Sequence, residues 1–211
     1  MKNSTRSFDQ LSLVTTIAIG LCTLFWSLSI NAQGQHFNPK GKQPSEFTRE
    51  IQAQLRQSLP FEDQRDFEES RRGFIAEPDY RQILGAQGNI VWDMTRYDFL
   101  LDGNDYDSIH PSLQRQATLN MNYGLYEVVP GFLYQVRGFD VSNLTLVRGD
   151  TGWILFDVLL ASETAEAALA LANQHLGELP VKAVVYSHSH IDHFGGVRGV
   201  INAEDVRNGD V

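Results

Sequence analysis

Six consecutive residues concentrate the chemistry available to this chain: His188-Ser189-His190-Ile191-Asp192-His193. Side chains two apart on an extended segment project to the same side, so the imidazoles of His188 and His190 can share one cation at about 2.0–2.1 Å per bond. Asp192 and His193 are adjacent and point away from that pair. Where the backbone turns, they can reach a second cation about 3.5–4 Å from the first. Crowded imidazoles and a carboxyl all need partners, and divalent metal supplies them together. The donors are nitrogen and oxygen without sulfur, so zinc is the first expectation; manganese and iron also suit the set. His36, His110 and His175 are isolated, and each reads as a surface or packing residue. Gly195-Gly196 is expected to let the chain pass close to the metals, with a helix after it.

Such a loop needs a rigid base, and the preceding residues supply one. Residues 125–129 and 132–136 look like strands split by a Pro130-Gly131 turn, and 142–148 like a third. After the tight turn Gly149-Asp150-Thr151-Gly152, residues 153–157 are nearly all apolar and form a buried fourth strand. Ser162 can cap an Ala-rich helix running to about Leu176, with Ala165, Leu169 and Ala172 on one face and Gly177 as its stop. Residues 181–186 are another buried strand. Antiparallel strands followed by strand–helix–strand make an α/β sheet with at least one covered face. The histidine motif begins at the C-terminal end of the last strand, where α/β sheets place their ligands.

Upstream, the pattern is looser. Pro44-Ser45 opens a helix to about Leu59, with Phe47, Ile51 and Leu55 at helical spacing. Residues 61–72 are densely charged and read as a solvated helical face. Residues 85–106 form an irregular segment pinned by Trp92, Tyr97 and Phe99, with a short strand near 90–92; a helix over 111–123 ends near Gly124.

The 211 residues are 42% hydrophobic and 20% charged, enough for one globular domain plus a tail. A net charge of −9 excludes a general nucleic-acid or anionic-membrane binder. It leaves a small anionic substrate open, because a metal centre reverses the field locally. Lys2 and Arg6, an apolar run over 11–30 and the small residue Ala32 before Gln33 have the order of a secretory signal. An uncleaved anchor is the other reading, since the run approaches a bilayer span. Either way the body is exported, periplasmic or secreted, and touches membrane only through that segment. Cys22 lies inside the run, so the mature protein has no thiol to offer a metal. The expected division is a signal at 1–32, a linker and N-terminal helix at 33–60, a segment at 61–124, and at 125–211 the domain holding the motif. Asn208-Gly209-Asp210-Val211 shows no closing helix or strand pattern, so that domain is expected to be incomplete.

The His-x-His-x-Asp-His loop, with Gly149-Asp150 and Asp157 ahead of it, resembles the metallo-β-lactamase superfamily. More narrowly, the chain resembles the bacterial alkyl sulfatases. The residues behind this are Arg72-Gly73-Phe74-Ile75-Ala76, Val91-Trp92-Asp93, Pro111-Ser112-Leu113-Gln114-Arg115-Gln116-Ala117, Tyr134-Gln135-Val136-Arg137-Gly138-Phe139-Asp140 and Gly149-Asp150-Thr151-Gly152-Trp153. The run from Tyr186 through the motif to Phe194-Gly195-Gly196-Val197-Arg198-Gly199-Val200 completes the set. The resemblance extends from about Phe67 to Val200. It implies an αββα sandwich of which this chain holds only the N-terminal half, preceded by an exported extension. It also implies two zinc ions per complete site, His188 and His190 on one, Asp192 and His193 on the other, with Asp192 also orienting the attacking water. Ser187 stands where the family usually has Thr, and Val158 and Leu160 where Pro and Thr are common. In the family, later segments supply the remaining ligands, sulfate recognition, a lipid-carrier-like domain and homodimerisation; two protein ligands per metal would hold zinc weakly.

The expected activity is therefore zinc-dependent hydrolysis of alkyl sulfate esters. Two other readings stay open: a related hydrolase acting on thioesters, lactams or phosphoesters, and an inert truncated remnant. A substrate panel separates the first from sulfatase action, and zinc stoichiometry identifies the second.

Overall fold

The apolar alternation that marks strands in the sequence becomes an alternation of buried and half-buried side chains along residues 133–137 and 144–147 of one sheet. The computed structural model describes residues 43–211. The expectations for the export signal, Cys22 and most of the linker lie outside those residues. The chain divides after Glu46, and the unit described below is Phe47–Val211.

In chain order the helices and strands are α1 (Glu46–Ser58), α2 (Arg65–Ser70), β1 (Phe74–Ala76), β2 (Gln82–Leu84), β3 (Ile90–Asp93), α3 (Pro111–Leu119) and β4 (Gly124–Val129). They continue with β5 (Leu133–Arg137), β6 (Leu144–Arg148), β7 (Trp153–Phe156), α4 (Ser162–Leu176), β8 (Val181–Val185) and α5 (Ala203–Asn208). Six strands form the main sheet in the order β1-β4-β5-β6-β7-β8, and β2 with β3 makes a separate hairpin. Every pairing is antiparallel except β7 with β8, which is parallel and crossed over by α4. The fold is thus mixed α/β.

One face of the sheet is sealed by α4, whose buried residues Thr164, Ala165, Ala168, Leu171 and Ala172 recur at three- and four-residue spacing. Ala168, Leu171 and Ala172 pack in one core with Leu125, Val136, Leu144, Leu146, Trp153 and Leu155, all six fully buried. Leu169, expected on that face, is only half-buried. Trp153 is fixed by its Nε1–H, which donates to Asn173 Oδ1 at 2.9 Å, and by the Arg148 guanidinium 4.7 Å from its ring.

Several boundaries differ from expectation for reasons of side-chain chemistry. The third strand begins at Leu144 and leaves Ser142 in a loop. Helix α3 stops at Leu119, short of Gly124, and its N-cap is His110, whose Nδ1 accepts from the Ser112 amide. The charged segment is not only a solvated face: Arg115 crosses to Asp66 at 3.3 Å and lies 4.7 Å from the Phe67 ring. A short helix not expected from the sequence, α5, lies near the last residues. Asn202 and Asp205 form a capping box at the start of α5, and Gly209, at φ 74°, ends it. Six residues are too few to show a helical period, so only the caps could have revealed it. Among the described residues, no helix is long and apolar enough to cross a membrane.

Because β5 and β6, and β6 and β7, are antiparallel while β7 and β8 are parallel, β5, β7 and β8 all end at the same edge of the sheet. The connections at residues 138–143, 157–161 and 186–202 therefore share one rim. The histidine motif lies in the third.

Candidate metal centre

At that rim β7 runs into a bend that only a dense network can hold. Asp157 and Leu159 adopt φ of 56° and 63°, the left-handed region that non-glycine residues avoid. Each such residue costs about 1–3 kcal/mol, and strain of this kind collects at functional sites. Three backbone bonds hold it: Asp157 N to Val185 O, Val158 N to His193 O and Gly196 N to Leu159 O, each 2.9 Å. Two of them tie the bend directly to the loop that carries the motif.

The bend aims the Asp157 carboxyl into the loop. Its Oδ1 accepts from the Ser187 amide at 2.8 Å. Its Oδ2 accepts from the Ser187 hydroxyl and from His193 Nδ1, both at 2.8 Å. The Ser187 hydroxyl has spent its proton on Asp157, so at 2.8 Å from His188 Nδ1 it can only accept. Both His188 and His193 consequently carry hydrogen on Nδ1, an assignment made from the network, which leaves Nε2 as the nitrogen a metal would take once it is deprotonated. His193 Nε2 lies 3.2 Å from Asp192 Oδ2. The His188 ring sits 4.6 Å from that of His190 and 4.0 Å from that of His193, so three imidazoles and one carboxyl gather in a single cluster.

Burial alone would raise Asp157, but the hydrogen bonds from the Ser187 amide, His193 and the Ser187 hydroxyl outweigh it and hold the carboxyl below its ordinary 3.8. The hydrogen bond to Asp157 raises His193 above its ordinary 6.5 against desolvation, and the charges of Asp157 and Asp192 add to the rise. The linkage has a definite sign. In the metal-free chain His193 contributes stability that is complete below 6.5 and is lost as pH rises through its elevated value. Asp157 contributes above 3.8 and fades as pH falls through its lowered value. Denaturant midpoints measured from about pH 5 to about pH 9 should therefore fall through the neutral range more steeply in the unaltered chain than in Asp157→Asn. Equal slopes would mean that the two groups do not interact.

Do these donors suit a metal? Two ligands on one tetrahedral zinc at about 2.0–2.1 Å lie roughly 3.3–3.4 Å apart, close to the 3.2 Å between His193 Nε2 and Asp192 Oδ2. Among the described residues, however, no three His, Asp or Glu side chains converge as a ready cage. The donors fit in kind, and the separation of Asp192 and His193 suits one ion.

The glycines after the motif have a different purpose from the one expected. A Cβ on Gly195 would lie 2.3 Å from Leu160 O, and one on Gly196 would lie 2.1 Å from Val158 O and 2.7 Å from Ala161 O. They clear the strained bend after β7 rather than a metal, and a 3-10 turn, Gly195–Gly199, takes the place of the expected helix. Sequence reasoning set Asp157 beside the motif without a role and treated Ser187 only as a replacement for Thr. The signal that could have found them is a carboxyl at the C-terminal end of one parallel strand and a hydroxyl at the end of its neighbour.

Residues 137–209 match the metallo-β-lactamase superfamily. The chain is 51% identical over 170 residues to an (R)-specific secondary-alkylsulfatase of Pseudomonas sp., covering 81% of this chain and 25% of that protein. It is 43% identical over 185 residues to a linear primary-alkylsulfatase of Pseudomonas sp., covering 87% and 27%. The solved structure of a stereoselective inverting sec-alkylsulfatase from Pseudomonas sp. superimposes with a TM-score of 0.75 at 51% identity, over 81% of this chain and 26% of that one. This chain thus spans about a quarter of the length of the relatives it matches.

Proposed function

We propose, from the chain's likeness to alkyl sulfatases of the metallo-β-lactamase superfamily, that the protein hydrolyses alkyl sulfate esters to alcohol and sulfate with two zinc ions at the 188–193 loop. Supporting this most directly is the Asp157 network, which occupies Nδ1 of both His188 and His193 and leaves Nε2 of each as the nitrogen for a metal. His188 and His190 would hold one ion, Asp192 and His193 the other. When bound, the pair supplies Lewis acidity toward the sulfate ester and toward water.

The chain's own residues do the positioning. Asp157 fixes the tautomer and rotation of His193 directly and those of His188 through Ser187. Asp192, half-buried beside His193, can also accept a hydrogen bond from the attacking water and orient it. Net, the ester and water give alcohol and hydrogen sulfate. Inversion, the outcome named for the solved relative, requires attack at carbon and rupture of the C–O bond. The same route is proposed here. Hydrolysis in 18O-water then labels the alcohol, whereas label in the sulfate would assign S–O cleavage.

The decisive comparison is dodecyl sulfate hydrolysis by the protein and its His190→Ala variant. Outer partners of a ligand are worth about 10–100-fold, so loss of a ligand should cost more than about a hundredfold. Equal rates would remove the loop from the reaction. The order of residues 1–32 supports export as the setting for this activity.

A further inference from the structure

Resting on that metal site, we infer that Asp140 and Ser142, in the loop between β5 and β6, are positioning residues that set the backbone of the metal loop. Asp140 is a carboxyl buried to 6% exposure among core side chains, in a loop far from the motif in sequence. Burial of this kind demands partners, and those it has all serve the rim. Its Oδ1 accepts from the Val141 amide at 2.5 Å, and its Oδ2 accepts from the Leu160 amide at 3.1 Å. The Thr164 hydroxyl lies 2.7 Å from the same Oδ2 and 2.9 Å from Ala161 O, one proton serving both. Asp140 thereby clamps the residue next to left-handed Leu159 and the first turn of α4.

Ser142 completes the tie from the other side. Its hydroxyl donates to the backbone carbonyl of Asp192, in the middle of the motif. The bend and the motif are themselves joined by Val158 N to His193 O and Gly196 N to Leu159 O. Three loops from three strand ends are thus locked in a closed ring: 138–143 to the bend through Asp140, the bend to the motif through its amides, and the motif back to 138–143 through Ser142. Neither Asp140 nor Ser142 offers an atom to the imidazole cluster, so both act through the ligands' backbone. The ring fixes where the carbonyls of Asp192 and His193 point, and with them the directions of the two side chains.

The test titrates the 211-residue chain with Co2+, read by its visible absorption, and follows amide hydrogen exchange in the metal-free chain. Ser142→Ala should bind Co2+ about tenfold more weakly with an altered spectrum, the lower end of what outer partners of ligands are worth. Ser142→Thr, which keeps the hydroxyl, should restore both. Asp140→Asn should weaken Co2+ in the same way. In both damaged variants the amides of Val158 and Gly196 should exchange several-fold faster, while those of Tyr134 and Leu146 in the sheet stay protected. A Ser142→Ala chain with unaltered affinity, spectrum and exchange overturns the inference. So does an Asp140→Asn chain that loses protection evenly across the sheet, since that marks a purely structural carboxyl. If the unaltered chain takes up no Co2+, the metal reading fails, and the exchange pattern alone decides whether the ring positions the loop.

Discussion

Asp157→Asn should lower zinc affinity by about 10–100-fold, equivalent to roughly 1.4–2.8 kcal/mol. The substitution keeps the shape of the side chain and removes an acceptor where three donors converge: the Ser187 amide, the Ser187 hydroxyl and His193 Nδ1. An amide can place its one oxygen toward only part of that set, and its NH2 then faces a hydrogen it cannot accept. His193 is freed to rotate and to carry its proton on Nε2, the nitrogen beside Asp192. His188 loses its anchor at second hand, because the Ser187 hydroxyl no longer has a fixed direction in which to donate. Competition against a chromophoric chelator at neutral pH measures the loss. Affinity equal to that of the unaltered protein would show that the imidazoles need no orientation from Asp157.

Gly196→Ala should destabilise the fold by about 3 kcal/mol, at the upper end of the usual overpacking range, and weaken metal binding with it. The added methyl would stand 2.1 Å from Val158 O, 2.7 Å from Ala161 O and 2.8 Å from the Ala165 methyl. Two of these are backbone atoms and the third belongs to a buried alanine on α4, so no flexible side chain can move aside. The 3-10 turn must instead lift from the bend after β7. That breaks the Gly196 N to Leu159 O bond and pulls Val197, Val200 and Ile201 from the core they pack against. Arg198→Ala, an exposed change in the same turn, is the control and should leave the urea midpoint nearly unmoved. A Gly196→Ala midpoint equal to the control's would mean that the turn does not rest on the bend.

The crowding of four donor side chains into six residues was legible because it is a local property of the sequence, and the strand before them was legible as a strand, although it was expected to be buried and only Val181 of it is. The strands from Leu133 to Phe156 were legible too, since alternating burial writes itself into the order of apolar residues. Strand β2 and the short helix α5 were not, because three or six residues carry no measurable period and their identity rests on a partner strand or a cap. Ser142 read as strand because it adjoins an apolar run, but its hydroxyl is claimed by a carbonyl fifty residues away.

By itself the sequence determined which atoms could bind a metal and that they follow an apolar strand, because donor type and hydrophobic period are local properties. Only the tertiary structure decided which nitrogen of His188 and of His193 bears the hydrogen, why Gly195 and Gly196 cannot carry a side chain, and that Asp140, Ser142 and Asp157 converge on one loop. Those facts depend on hydrogen bonds and close approaches between segments tens of residues apart. They exist only once the sheet has brought the ends of β5, β7 and β8 to a common rim.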